Sequence, residues 1–251
     1  MNTWITATFS PTGSTRTVAQ AIAATREQEH IDLLKPTAPR AISATTPLLA
    51  VVPVYGGRVP AIAIERLAAL QGQNGPAMAV VVYGNRAYED ALLELKNALT
   101  RNGFRVVAAA AFIAEHSIAR CIATGRPHAQ DKQTAAEFAA AANAILALPV
   151  AEQTCVQVPG NEAMKPLPQM PATPMVTDAC GGCGLCAREC PTGAIPADAP
   201  RSTDAARCIL CMRCVSICPR QARILPPPLL AGMTARLQAC AAEPRLPELF
   251  V

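Results

Sequence analysis

Apolar residues in the first 148 positions follow two alternating rhythms. Continuous apolar or β-branched runs at Trp4–Phe9, Leu48–Val54, Ala77–Tyr83 and Phe104–Ile113, with a short stretch at His30–Leu33, predict five strands. Runs that stay apolar at every position belong to strands buried on both faces, as in a parallel sheet. Between them apolar residues recur at helical spacing. Ser14–Arg26 turns Val18, Ile22 and its alanines inward, Pro60–Leu70 has Pro60 in its first turn, Arg86–Asn102 stops at Gly103, and Asp131–Leu148 is Ala-rich. Strands interleaved with helices predict a doubly wound, five-stranded parallel α/β sheet over residues 1–148.

The rhythm stops at Leu148. Prolines at 149, 159, 166, 168, 171 and 174 forbid a helix and predict an extended, semi-rigid connector over 149–175. Residues 176–225 hold eight of the eleven cysteines. After Pro226-Pro227-Pro228, residues 226–251 read as a last helix over Leu229–Ala242 and a tail. That helix is expected to pack back on the cysteine-rich part or on the first domain.

In doubly wound sheets, ligands lie beyond the carboxyl ends of the strands. Three loops fall there: 10–15, 53–60 and 83–90. Ser10-Pro11-Thr12-Gly13-Ser14-Thr15 places hydroxyls and amides at a helix amino end, an arrangement suited to a phosphate monoester. It lacks the Gly-Lys-Ser/Thr of a nucleoside-triphosphate loop, and G-x-G-x-x-G is absent as well. An ordinary Ser/Thr helix cap is the plainer alternative. The other two loops carry Val54-Tyr55-Gly56-Gly57 and Tyr83-Gly84-Asn85 with Tyr88, which include all three tyrosines of the chain. Such rings could stack on a flat heterocycle while glycines admit backbone amides to its edge. They could equally be surface packing residues.

The cysteines repeat. Cys180-x2-Cys183-x2-Cys186-x3-Cys190-Pro191 recurs 28 residues later as Cys208-x2-Cys211-x2-Cys214-x3-Cys218-Pro219. Three thiolates at three-residue intervals can wrap one loop around a [4Fe–4S] cubane, and the remote Cys-Pro of such a run ligates the other cluster. One cluster would then take Cys180, Cys183, Cys186 and Cys218, the other Cys208, Cys211, Cys214 and Cys190. Structural zinc pairs two C-x2-C turns instead, and disulfides do not suit a chain without an export signal. Gly181, Gly182 and Gly184 allow amides to approach sulfur in the first loop, whereas Ile209, Leu210 and Met212 line the second. The second cluster is therefore expected to be drier and lower in potential. Cys121, Cys155 and Cys240 lack partners and are expected to be buried free thiols.

Composition changes this picture little. Hydrophobic residues are 51% and charged residues 16%, a globular balance. The formal charge of +4 disappears if each of two clusters carries about −2, so it is no argument for nucleic acid. No run approaches the ~18–20 apolar residues of a membrane span, and Met1-Asn2-Thr3-Trp4-Ile5 does not resemble a signal peptide. A cytoplasmic location is expected. His30, His116 and His128 are scattered and read as loop or core residues.

Ser10–Thr15 after the first strand makes residues 1–148 resemble a flavodoxin. With the duplicated cysteine run, Val158-Pro159-Gly160-Asn161, Lys165-Pro166 and Pro247-Glu248-Leu249-Phe250, the whole chain resembles the prokaryotic flavodoxin–ferredoxin fusion proteins. The resemblance implies FMN, with its phosphate on Ser10–Thr15 and its ring between loops 53–60 and 83–90, followed by a small α+β ferredoxin domain with two [4Fe–4S] clusters. An electron relay between FMN, the clusters and redox partner proteins is the first functional expectation. A flavin-dependent reductase, with Tyr55, Tyr88 or His116 as proton donor, is the second. The third is a ferredoxin carried by an FMN-free docking domain.

Overall fold

A computed structural model describes residues 3–166 and 172–251; Met1, Asn2 and the connector's Pro168 and Pro171 lie outside the described residues. In chain order the elements are β1 (Trp4–Thr8), α1 (Ser14–Ala23), β2 (Glu27–Asp32), β3 (Arg40–Ala41), β4 (Leu48–Pro53), α2 (Ala61–Leu67), β5 (Leu70–Gln71), β6 (Pro76–Tyr83), α3 (Ala91–Arg101), β7 (Arg105–Ile113) and α4 (Ala129–Leu146). After the connector come β8 (Met175–Val176), α5 (Leu185–Arg188), α6 (Arg213–Ser216), β9 (Arg223–Ile224), α7 (Pro227–Cys240) and β10 (Glu248–Phe250).

The main sheet runs β10-β7-β6-β4-β1-β2. Its five parallel strands stand in the order 2-1-3-4-5, the flavodoxin-like arrangement. β1 alternates between two cores. Ile5, Ala7 and Phe9 face α2 and α3 with Leu67, Leu92 and Leu95, while Trp4 faces α1 and α4 with Ile22 and Phe138. Both sheet faces are thus covered, which explains why β4 and β6 are buried along their whole length.

Several expectations shift. The sheet has six strands rather than five, because the C-terminal tail adds β10 antiparallel to β7. Three residues carry no period that would reveal a strand. The third main helix starts at Ala91, not Arg86, because Asn85 and Glu89 take positive φ and hold 85–90 as a loop. Pro60 is the N-cap of α2 instead of a first-turn residue. α4 begins two residues early, on a capping box between His128 and Asp131.

In the cysteine-rich module β8 and β9 pair, Met175 with Ile224 and Val176 with Arg223, so its beginning lies beside its end. α5 and α6 each start after a left-handed residue, Gly184 (φ 70) and Met212 (φ 61), at matching positions of the two runs. α7 bridges the modules: Leu229 and, from the first module, Ile118 both pack on Leu210, Met212 and Leu225, while Leu237, with Ala241 just past the helix end, packs with Ala119 and Ile122. Cys121, Cys155 and Cys240 are exposed, contrary to expectation. They sit on a loop, on the connector and at the last residue of α7, where no core forms around them.

Candidate metal centre and the loops beneath it

Each cysteine run places three thiols on a loop that turns into a one-turn helix. The second run gathers Cys208, Cys211 and Cys214 with Cys190 of the first around one cavity, walled by Ile195, Leu210 and Met212. Burial, more than the neighbouring thiols, pushes Cys211 up to about 12 and Cys214 up to about 11. A bare thiolate is costly there, and a metal centre is what would hold these sulfurs deprotonated. Cys218 is followed by residues that pack on the start of the first run: Val176 pairs with Arg223, the Thr177 amide donates to Ala222 O (2.9 Å) and Arg220 lies against Gly181. Its sulfur accepts the Ala222 amide at 3.2 Å. Although burial pushes the Cys218 thiol up, backbone amides and Arg223 outweigh it and hold the thiol below its ordinary value.

Among the described residues no three donors converge as they would on a single metal ion. A cubane presents its irons at separate corners, so its thiolates stand apart. The soft, all-sulfur donor set fits an iron–sulfur cluster. The exposures differ: Cys183 is exposed, Cys211 and Cys214 are buried.

The second run sits on the carboxyl ends of the parallel strands. Arg213 Nη1 donates to Pro11 O (3.3 Å) and Nη2 to Glu189 (2.7 Å). Arg66, on α2 and only 9% exposed, donates to Leu33 O (2.6 Å) and Pro191 O (2.5 Å). Lys35 reaches Glu189 at 3.0 Å. Thus Glu189-Cys190-Pro191, the segment bearing the crossing cysteine, is clamped by Arg66 and Lys35 of the first module and by Arg213. The sequence shows these cations but not that they converge.

The structure does bring loops 10–15, 53–60 and 83–90 together. Ser10 Oγ accepts the Arg16 amide at 2.9 Å, and Thr12 and Gly13 are open to solvent, with Ser14 and Thr15 opening α1. This loop fits an anion the size of a phosphate. At the ring end, loops 53–60 and 83–90 touch: Asp90 N donates to Gly57 O (3.2 Å), and a Cβ on Gly57 (φ 84) would overlap Glu89. Gly84 packs as closely on the His116 ring. Tyr83 and Tyr88 are core residues, 3% and 8% exposed, with rings edge-on at 5.4 Å. Burial, ahead of Glu248, pushes Tyr83 up to about 12. Tyr88 OH donates to Glu248 (2.7 Å). Asn85 is saturated by the tail, giving to Ala241 O (2.8 Å) and Glu243 O (3.0 Å) and accepting from Arg245 N (2.9 Å). Tyr55, beside Val54 and Gly56, turns toward the cysteine module, and burial together with Cys211 pushes its phenol well above its ordinary value.

The connector closes the same loops from outside. Asp90 accepts the amides of Asn161 (3.0 Å) and Lys165 (3.4 Å), and Arg58 pairs with Glu94 (2.7 Å) while also donating to Lys165 O.

A duplicated thiolate module on a flavodoxin-like sheet is the build of an electron-transport protein. The 4Fe-4S dicluster domain family matches residues 179–223. A flavodoxin from the domain Archaea aligns over 56% of this chain and 99% of its own, at 12% identity and a TM-score of 0.36. The metal-soaked Flv1 flavodiiron core from Synechocystis sp. PCC6803 aligns over 57% of this chain and 36% of its own, at 16% identity and a TM-score of 0.37. No curated protein matches the chain. Taken together, the two parts fit a flavodoxin–ferredoxin fusion. Among the described residues no helix is long and apolar enough to cross a membrane.

Proposed function

We propose that the chain is an electron carrier with two [4Fe–4S] clusters, one on Cys180, Cys183, Cys186 and Cys218 and the other on Cys208, Cys211, Cys214 and Cys190. The gathering of Cys190 with the second run carries this reading, because a crossing fourth ligand is the signature of paired clusters. Each cluster would supply one-electron chemistry. The chain's own residues hold the thiolates, exclude water from the second site and leave the first open at Cys183.

In this reading the first module is an FMN-free platform that seats the second cluster through Arg66, Lys35 and Pro11. The closed contact between Gly57 and Asp90 supports it. One observation favours the FMN relay instead: the open Thr12–Gly13 turn is shaped for a phosphate. A reductase has less support, since Tyr88 OH is committed to Glu248 and His116 Nδ1 accepts the amides of Ile118 (3.2 Å) and Ala119 (3.1 Å). Anaerobic purification with iron, sulfide and acid-extracted flavin quantified together tests all three. About eight irons without flavin are expected, about eight with one FMN would establish the relay, and about four irons or fewer would overturn the two-cluster reading.

A further inference from the structure

We infer that the Cys180–Cys183 loop, with the three arginines leaning on it, is the docking surface for an acidic electron-transfer protein. The inference rests on the two-cluster reading above. Arg188 Nη1 donates to Cys183 O (3.1 Å) and Arg201 Nη1 to Cys180 O (3.4 Å). The Arg220 guanidinium lies against Gly181, where an added Cβ would come 2.7 Å from its Cζ. These arginines come from the end of α5, from the segment between the two runs, and from just beyond Cys218-Pro219. They are distant in sequence, yet all meet one four-residue loop, and all three are exposed together with Gly181, Gly182 and Cys183.

Little offsets their charge. Among the described residues the ion pair they make is Arg201 with the fully exposed Asp178, at 3.9 Å, a geometry of small worth in water. Glu189, the acidic residue beside Cys190, is engaged by Lys35 and Arg213. The loop itself offers no steric barrier, since a Cβ on Gly182 would meet nothing within 4 Å. A partner could therefore approach to the level of the backbone over this cluster, whereas the other is covered by the first module.

The formal +4 is cancelled if two clusters carry about −2 each, so the molecule has almost no net charge with which to steer a partner. A local basic rim around an open redox centre then decides orientation. Its complement is a protein that presents carboxylates around its own redox centre. One electron passes from the reduced cluster to the partner; no bond forms or breaks and no proton moves.

The test compares dithionite-reduced holoprotein of known iron content with its Arg188→Glu/Arg201→Glu/Arg220→Glu variant. The oxidants are hexacyanoferrate(III), which takes one electron to its iron(II) form, and hexaamminecobalt(III), which takes one to cobalt(II). The oxidised proteins are also passed over a carboxylate-terminated surface at low salt and retention is read by surface plasmon resonance. The variant should lose about tenfold or more in rate with the anion, gain with the cation, and lose retention. Arg→Lys at all three positions should restore both readouts. If the triple variant does not hold its iron, the single Arg→Gln variants are read the same way, each with a smaller shift. Full iron with an unchanged rate ratio and unchanged retention overturns the inference alone. Wild-type protein that takes up no iron overturns the two-cluster reading and the inference with it.

Discussion

Arg66 is a buried cation whose hydrogen bonds go to carbonyls rather than to a carboxylate. Burial pulls it below the ordinary guanidinium value, so its place is held by geometry: two carbonyls from different modules share one planar fork. Arg66→Gln would leave Leu33 O or Pro191 O unpaired, at about 1–3 kcal/mol, and would loosen Cys190. A lower denaturation midpoint and faster iron loss to a chelator are expected, with partial recovery in Arg66→Lys. His116 is a second such residue. Burial first, and Arg86 second, hold its pKa below 6.5, and its Nδ1 already accepts two amides. Protons therefore bind the unfolded chain better. Its contribution to stability is full above pH 6.5 and declines as the pH falls from there toward the folded-state value. Thermal midpoints taken between about pH 7.5 and about pH 5.5 should fall more steeply for the wild type than for His116→Asn. Neither role was legible in the sequence, where Arg66 is one helix residue among many and His116 has no partner at any motif spacing.

The loops and the tail carry the lesson at the level of elements. The strands and helices of the first module were legible because each is long enough to show its apolar period, and the errors fall at their ends. Loop 83–90 is different: Asn85 and Tyr88, expected at a ring platform, bond to the chain's own tail, and Gly84 packs on His116. Asn85 is the hinge of that arrangement. Asn85→Ala would strand Ala241 O, Glu243 O and the Arg245 amide, at about 1–3 kcal/mol, and should release the tail from the β7 edge. Trypsin should then cut after the exposed Arg245 faster than in the wild type, while iron content stays the same.

Across the whole molecule, the two cysteine runs are alike in sequence and unlike in surroundings. The first is ringed by exposed arginines and open at Cys183; the second is buried under Leu210 and Met212 against the first module. Solvent and nearby positive charge raise a cluster's potential, while dry apolar walls lower it. Arg66 and Arg213 work against that order at the second site: Arg213 is offset by its pair with Glu189, whereas Arg66, bonded to carbonyls, keeps its charge. A redox titration followed by electron paramagnetic resonance should show two one-electron steps. The lower should belong to the second run, and it should be the step that Arg66→Gln moves further down.

The sequence by itself determined the five parallel strands, their alternation with helices and the cysteine repeat, because periodicity and spacing are local properties written in neighbouring residues. It could also place three loops at the carboxyl edge of the sheet. Only the tertiary structure decided what fills that edge. The second cysteine run, the connector and the tail come from as far as 202 residues away, and the contacts they make — Arg213 on Pro11, Asp90 on Asn161, Asn85 on Arg245 — leave no pattern along the chain.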